Sequence, residues 1–368
     1  MPLCPTVSKR QAKAAVPQRV LKPSEDERQA KSGFALSEWR DTRLRIPDFS
    51  HVNHLTWLEA LVIGGLQGVA ELFPVSNLGH SILLPALVGG SWARDLDVSA
   101  PESPYLAFVV GLHVATALAL IVYFHRDWVR IIRGLVTSIV RREVVEPDQR
   151  LAWLLVLATI PVGIAGLTLE HVFRVYLSKP VPTAVFLTLN GVVLLLGEHL
   201  RRRADARATT DGPATEARPT VEPDGGRAAV QTDAAVVADR RLARLGVGQA
   251  VLIGATQIAA LAPGISRSGS AMVAGLAKGL SHADAARLSF LLATPVILAA
   301  GVLKLPDLAG PLGDGIRPQI LVGSLLSGVG AYLSVRFLTR WFETRSMRPF
   351  AIYCIVAGLG CLTWFSLR

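Results

Sequence analysis

Two runs of this chain set polar, chemically capable side chains into surroundings that are otherwise apolar. Leu261 to Ser270 reads Leu-Ala-Pro-Gly-Ile-Ser-Arg-Ser-Gly-Ser. A guanidinium presents a planar fork that meets phosphate oxygens two at a time. Gly264 and Gly269 permit positive φ and close backbone approach, and the hydroxyls of Ser266, Ser268 and Ser270 donate. A helix opening at Ser270 would aim its positive end at the same place. The run predicts an anion site suited to phosphate, with Arg267 at its centre. An Arg at membrane depth costs about 2.5–3.5 kcal/mol on insertion scales, so it is expected to face an anionic ligand and not lipid. The second run holds Gln67 and Glu71 four residues apart, hence on one helical face, followed by Ser76, Asn77 and His80. A carboxylate, an imidazole and a guanidinium brought together with hydroxyls form the inventory of phosphoryl transfer. Arg267 would neutralise the transferring group, Glu71 would hold a divalent cation or activate water, and His80 would pass a proton.

These residues need elements to position them, and the composition says which kind. Of 368 residues, 51% are hydrophobic and 18% charged, and the mean hydropathy is +0.42. That balance belongs to a membrane protein. Six stretches are long enough to cross a hydrocarbon core of about 30 Å: Leu106 to Phe124, Leu151 to Leu169, Val181 to Gly197, Ala286 to Val302, Ile320 to Phe337 and Phe350 to Phe365. The net charge of +10 resides mainly in the tail and in the loops between spans, where the positive-inside tendency accounts for it, and no nucleic-acid partner is implied. Cys4, Cys354 and Cys361 form neither a disulfide framework nor a metal spacing.

Four segments follow in order. Residues 1–53 are mixed in charge and expected to be a disordered extension, and residues 54–198 and 246–368 are the two membrane halves. Residues 199–245, rich in Ala, Thr, Asp, Gly and Pro, are expected to be a disordered cytoplasmic insertion. The Arg-rich stretch from His125 to Arg150 marks the cytoplasmic side, and Ser91 to Pro104 reads as an external loop. Leu55 to Phe73 and Ser81 to Val88 flank the first polar elbow, and Gly246 to Ala262 and Ala271 to Leu280 flank the second. Irregular backbone at membrane depth is tolerated only inside protein or beside a water-filled cavity, so each elbow is read as the tip of a re-entrant hairpin.

A shift of 190 positions lays Gln67 on Gln257, Ala70 on Ala260, Ser76 on Ser266, Asn77 on Arg267 and Gly79 on Gly269. The first hairpin enters from outside and the second from inside, so the halves are expected to form an inverted repeat with the elbows meeting near the midplane. The expected fold class is an all-α integral membrane protein, a multi-span helical bundle with inverted repeats and two re-entrant helical hairpins.

With these residues in place the chain resembles the undecaprenyl-diphosphate phosphatase family, the bacitracin-resistance membrane phosphatases. The stretches that carry the resemblance are Gly65 to His80, Pro263 to Gly269, Ser289 to Pro295 and Pro349 to Tyr353. It covers Leu55 to the C-terminus apart from His199 to Leu245. It implies a multi-pass enzyme of the bacterial inner membrane that hydrolyses undecaprenyl diphosphate to the monophosphate and recycles the cell-wall lipid carrier. The implied partners are a polyprenyl diphosphate lipid, the membrane and a second copy of the chain in a homodimer, and the implied cofactor is a divalent cation, Mg or Ca, on Glu71. Glu71, His80 and Arg267 would be catalytic; Gln67, Ser76, Asn77, Gly264, Ser266 and Ser268 would bind substrate. The family usually has a second Ser after Pro-Val-Ser, proposed as a nucleophile, where this chain has Asn77. An amide has no nucleophilic oxygen, so either water attacks or Ser76 substitutes. Two other readings stand beside the enzyme: a carrier of polyprenyl phosphate or another anion, and a non-catalytic homologue. Inverted repeats with broken helices are also how secondary transporters are built.

Overall fold

The computed structural model describes residues 55–97, 104–210, 227–304 and 315–368. The N-terminal extension, residues 1–53, lies outside the described residues. Those that are described fold as helices with no strand among them, an all-α membrane protein.

The first hairpin is α1 (Trp57–Ala70) and α2 (Asn77–Val88), followed by the short α3 (Gly90–Asp95), a helix inside the stretch expected to be loop. Next come α4 (Pro104–Tyr123), α5 (His125–Arg141), α6 (Pro147–Leu177) and α7 (Pro180–Thr210). The second half holds α8 (Arg227–Leu242), α9 (Val247–Thr256) running into a 3-10 turn (Gln257–Leu261), α10 (Arg267–Ala277), α11 (His282–Leu303), α12 (Arg317–Thr344) and α13 (Arg348–Ser366). Six of these, α4, α6, α7, α11, α12 and α13, are long and apolar enough to cross a membrane, the six expected. The hairpin arms are different. At 14 and 12 residues, α1 and α2 span about 21 and 18 Å at 1.5 Å per residue, short of the hydrocarbon thickness.

The repeat is visible in the caps. Thr56 and Glu59 close a capping box at the start of α1, and Gly246 and Gln249, 190 positions on, occupy the matching places before α9, where the Gln249 side chain accepts the Gly246 N–H at 3.0 Å. The halves also exchange partners: α1 packs on α12 of the second half, and α9 packs on α6 of the first. Both crossings are made by small residues. A Cβ on Gly64 would stand 2.8 Å from the Gly323 Cα, one on Gly68 would strike the Ser327 carbonyl, and one on Gly254 the Ala158 carbonyl. Without a hydrophobic effect between helices in lipid, such close backbone contact is what holds them together. The outward sides of the long helices stay apolar and exposed, as at Leu167, Leu321, Leu325 and Val356.

The insertion departs from expectation. α7 continues through Thr210, and α8 occupies Arg227–Leu242, so the segment expected to be disordered is helical over residues 199–210 and 227–242. Its last turns are docked. Asp239, 1% exposed, binds Arg130 of α5 at 2.6 Å and Arg287 of α11 at 2.8 Å, while Asp127 of α5 joins the same two arginines at 2.7 and 3.1 Å. Arg241 reaches Asp284 at 2.9 Å. The compositional cue failed because a stretch rich in Ala, Thr, Asp, Gly and Pro reads as solvated, whereas here one of its carboxylates is buried against cations that lie far away in sequence.

Candidate functional site

Each elbow turns on a serine. Ser76 caps α2 and Ser266 caps α10; each side chain accepts the N–H of the glycine three residues on, Gly79 at 3.2 Å and Gly269 at 3.1 Å. The α10 helix begins at Arg267, three residues before the Ser270 expected. Asn77 and Arg267 therefore occupy the same first helical position on two repeat-related helices, and both helices present their positive N-terminal ends at the elbows.

The elbows are clipped together. Ser76 Oγ also accepts the Gly264 N–H at 3.2 Å, and Ser268 Oγ donates to the Phe73 carbonyl at 3.2 Å. Ser266 Oγ lies 3.1 Å from Ser268 Oγ and 3.5 Å from Phe73 O. A Cβ on Gly79 would sit 3.0 Å from Gly264 Cα. Gly264 has φ +109 and packs so closely that a Cβ would lie 2.6 Å from Leu187 N, so both conformation and space require glycine. Gly269, by contrast, is helical, and its value is closeness to Pro74. Ser76 holds φ 67, a strained conformation for a residue with a Cβ, kept in place by its two backbone partners.

The clasp is closed by Asn190 of α7, 1% exposed: its Nδ2 donates to Pro74 O at 3.0 Å and its Oδ1 accepts the Ser266 N–H at 2.9 Å. One amide thus satisfies a backbone group on each elbow. From α11, Ser289 Oγ donates to Ser268 O at 3.2 Å.

Above this clasp the chemistry converges on Glu71. Arg267 pairs with Glu71 Oε1, joining the second elbow to the first, in a site where the two side chains are 17% and 8% exposed. Gln67 Nε2 donates to Glu71 Oε2 at 3.2 Å; Asn77 Nδ2 donates to Glu71 Oε2 at 2.9 Å and to Gln67 Oε1 at 2.5 Å. His113 of α4 adds its Nε2 at 3.4 Å from Glu71 Oε2, its Nδ1 being held by Val109 O at 2.8 Å. Asn77 Oδ1 is buried with no partner among the described residues.

The structure thus divides the residues picked from sequence. Glu71, Arg267, Gln67 and Asn77 form one constellation. Ser76, Gly264, Ser266 and Ser268 form the clasp beneath it, and their hydroxyls or N–H groups are engaged within the protein. His80 stands apart: its Nδ1 donates to Ser76 O at 2.6 Å, its Nε2 meets the Tyr353 hydroxyl at 2.8 Å, and the two rings stack at 5.7 Å. None of its hydrogen bonds reaches Glu71 or Arg267. Sequence reasoning missed His113, Asn190 and Tyr353. The first two were available as polar residues within apolar spans, which are functional candidates by default.

A divalent cation can be tested against this donor set. The oxygens at hand are the Glu71 carboxylate, Gln67 Oε1 and the partnerless Asn77 Oδ1, and hard cations take oxygen ligands. Among the described residues no three His, Cys, Asp or Glu gather to cage a metal. One carboxylate with amide oxygens suits a magnesium-like ion that draws its remaining ligands from phosphate and water.

Residues 60–360 match the family described as bacitracin resistance protein BacA. The chain is 61% identical over 315 residues to the undecaprenyl-diphosphatase of Mycolicibacterium paratuberculosis, covering 86% of this chain and 99% of that protein. It is 52% identical to undecaprenyl-diphosphatase 1 of Frankia casuarinae, over 86% of this chain and all of that one. It is 38% identical to the undecaprenyl-diphosphatase of Granulibacter bethesdensis, over 85% and 98%.

Proposed function

Because the chain belongs to the bacitracin resistance protein family, we propose that it is an undecaprenyl-diphosphatase of the bacterial cell membrane, hydrolysing undecaprenyl diphosphate to undecaprenyl phosphate and inorganic phosphate. The observation that carries this reading is the Arg267–Glu71 pair at the meeting of two helix N-termini. A diphosphate entering there offers Arg267 a doubly charged partner in place of Glu71, and the guanidinium fork holds two oxygens of the terminal phosphoryl group. The N-terminal ends of α2 and α10 add to the same positive field.

Released from Arg267, the Glu71 carboxylate is the base beside the phosphorus. Water supplies the attacking oxygen and gives its proton to Glu71, the bond from the terminal phosphorus to the bridging oxygen breaks, and the electron pair stays on the lipid monophosphate. Asn77 and Gln67 orient the carboxylate through their amide hydrogens. Ser76 is an unsuitable nucleophile: it is 2% exposed and its oxygen accepts two backbone N–H groups, which supports water in that role. His80, held by Ser76 and Tyr353 with no hydrogen bond to Glu71 or Arg267, is assigned to proton exchange with water outside that pair. A bound magnesium or calcium ion, held by Glu71 with Gln67 and Asn77 oxygens, would supply charge neutralisation of the diphosphate.

Hydrolysis is favoured over carriage because an anion carrier needs Arg267 but has no use for a carboxylate set against it. The test is phosphate release from undecaprenyl diphosphate by the purified full chain in detergent, with and without a chelator. Release that stops with the chelator and returns with magnesium is the expected result. No release, together with movement of polyprenyl phosphate across vesicles, would establish the carrier instead.

A further inference from the structure

Helix α5 links two membrane-crossing helices, with Phe124 alone between it and α4 and residues 142–146 between it and α6. Connectivity therefore fixes both its ends where those helices leave the hydrocarbon. Its protein-facing side is narrow: Asp127, Ile131, Gly134 and Ser138 are buried, and Gly134 lies against the Asp148–Gln149 backbone at the start of α6. Turned away from the protein are Val129, Ile132, Val136, Ile139 and Val140, between 52% and 76% exposed. At 3.6 residues per turn these five fall within an arc of about 100°. Arg133 lies just beyond one edge of that arc and Arg141 further round, with Arg142 following at the C-cap. The aspartates near this helix are committed elsewhere, Asp127 to Arg130 and Arg287, Asp148 to Arg130; Glu143 and Glu146 lie on the link beyond it.

We propose that α5 is an interfacial lipid-binding helix, its aliphatic arc inserted among the acyl chains and Arg133, Arg141 and Arg142 bound to anionic phospholipid headgroups. Five aliphatic side chains in one exposed arc have no place in water, and a helix held at the bilayer surface with an apolar face and an arginine flank is the form that lies in the interface. The charge complement of arginines at that depth is an anionic headgroup. The inference rests on the membrane-crossing helices and not on the reaction.

The experiment uses the full chain, with Cys4 and Cys361 replaced by Ser, a polarity-sensitive fluorophore on Val136→Cys, and reconstitution into phosphatidylcholine vesicles with or without phosphatidylglycerol. Ile139→Cys serves if the first variant does not fold. Lipids brominated in the acyl chain should quench the label strongly and aqueous iodide weakly, and brominated phosphatidylglycerol should outcompete brominated phosphatidylcholine by roughly tenfold. Arg133→Gln with Arg141→Gln and Arg142→Gln should bring that ratio to about one. Quenching mainly by iodide would place α5 in water, and protection from both quenchers would mean that protein, a second copy included, covers it; either overturns the proposal. Equal quenching by the two brominated lipids in the unsubstituted chain would remove the headgroup assignment.

Discussion

At the scale of residues, the site is a competition for one carboxylate. Arg267, Asn77, Gln67 and His113 all lie against Glu71, so removing Glu71 disturbs more than any neighbour does. Glu71→Gln should lower the rate of phosphate release on the order of 10²–10⁴-fold, because it removes either the base or the one carboxylate that would hold the cation. Asn77→Ala forfeits hydrogen bonds worth about 0.5–1.5 kcal/mol each and should cost roughly tenfold. Initial rates at matched membrane expression give the order, and a dead Asn77→Ala beside an active Glu71→Gln would reverse the assignment. Asn77→Ser should leave the kinetics without a phosphoenzyme burst. Arg267→Lys should insert and fold yet lose most activity, since a point ammonium cannot hold two phosphoryl oxygens or fill the same pairing with Glu71. Near-normal turnover in that variant would take Arg267 out of the site.

At the scale of elements, the two elbows depend on partners outside themselves. Asn190 satisfies Pro74 O on one and Ser266 N on the other. Asn190→Leu leaves Ser266 N buried and unpaired, at about 1–3 kcal/mol, and leaves Pro74 O only the weak Cys354 thiol at 3.8 Å, so it should lower the thermal midpoint in detergent as well as the rate. A variant as stable and as active as the parent would show that the elbows hold themselves. The crossing of α1 on α12 is as demanding: Gly68→Val would drive a side chain into the Ser327 carbonyl and should abolish stable insertion of the first hairpin. Gly163→Ala, with nothing near its Cβ, should keep full activity and be neutral or stabilising by up to about 1 kcal/mol. Thermal unfolding of the two variants side by side checks the contrast.

At the scale of the whole molecule, the halves are interlocked. α1 rests on the second half and α9 on the first, while α8 ties α5 and α11 through Asp239. The insertion therefore divides into two parts. Replacing residues 211–226 with an equal length of Gly and Ser should leave phosphate release within about twofold of the parent, since their composition, rich in Pro, Gly and Asp, is that of a linker. A deletion carried to Arg240 removes Asp239 and should be destabilised by several kcal/mol, because Arg130 and Arg287 lose a buried counter-charge. Asp239→Asn alone should move stability the same way, read as a lower thermal midpoint. Equal stability of the short and long replacements would show that α8 does not brace the fold.

The sequence by itself determined what periodicity and composition can express. Six apolar runs specified six crossing helices, the Ser-capped glycine elbows specified two broken hairpins, and the 190-residue shift paired Asn77 with Arg267. Glu71 and Arg267 were legible because a charge in an apolar helix is costly enough to need a reason. What only the tertiary structure decided was which polar groups spend their hydrogen bonds on each other. Ser266 and Ser268 look like phosphate ligands in sequence, but their hydroxyls turn to the Phe73 carbonyl. His80 turns to Tyr353, 273 positions away, and His113 reaches Glu71 from a different helix. Asp239 becomes buried only when α5 and α11 close over it. Each of these depends on contacts between residues remote in the chain, and no local pattern encodes the distance between two helices once they have packed.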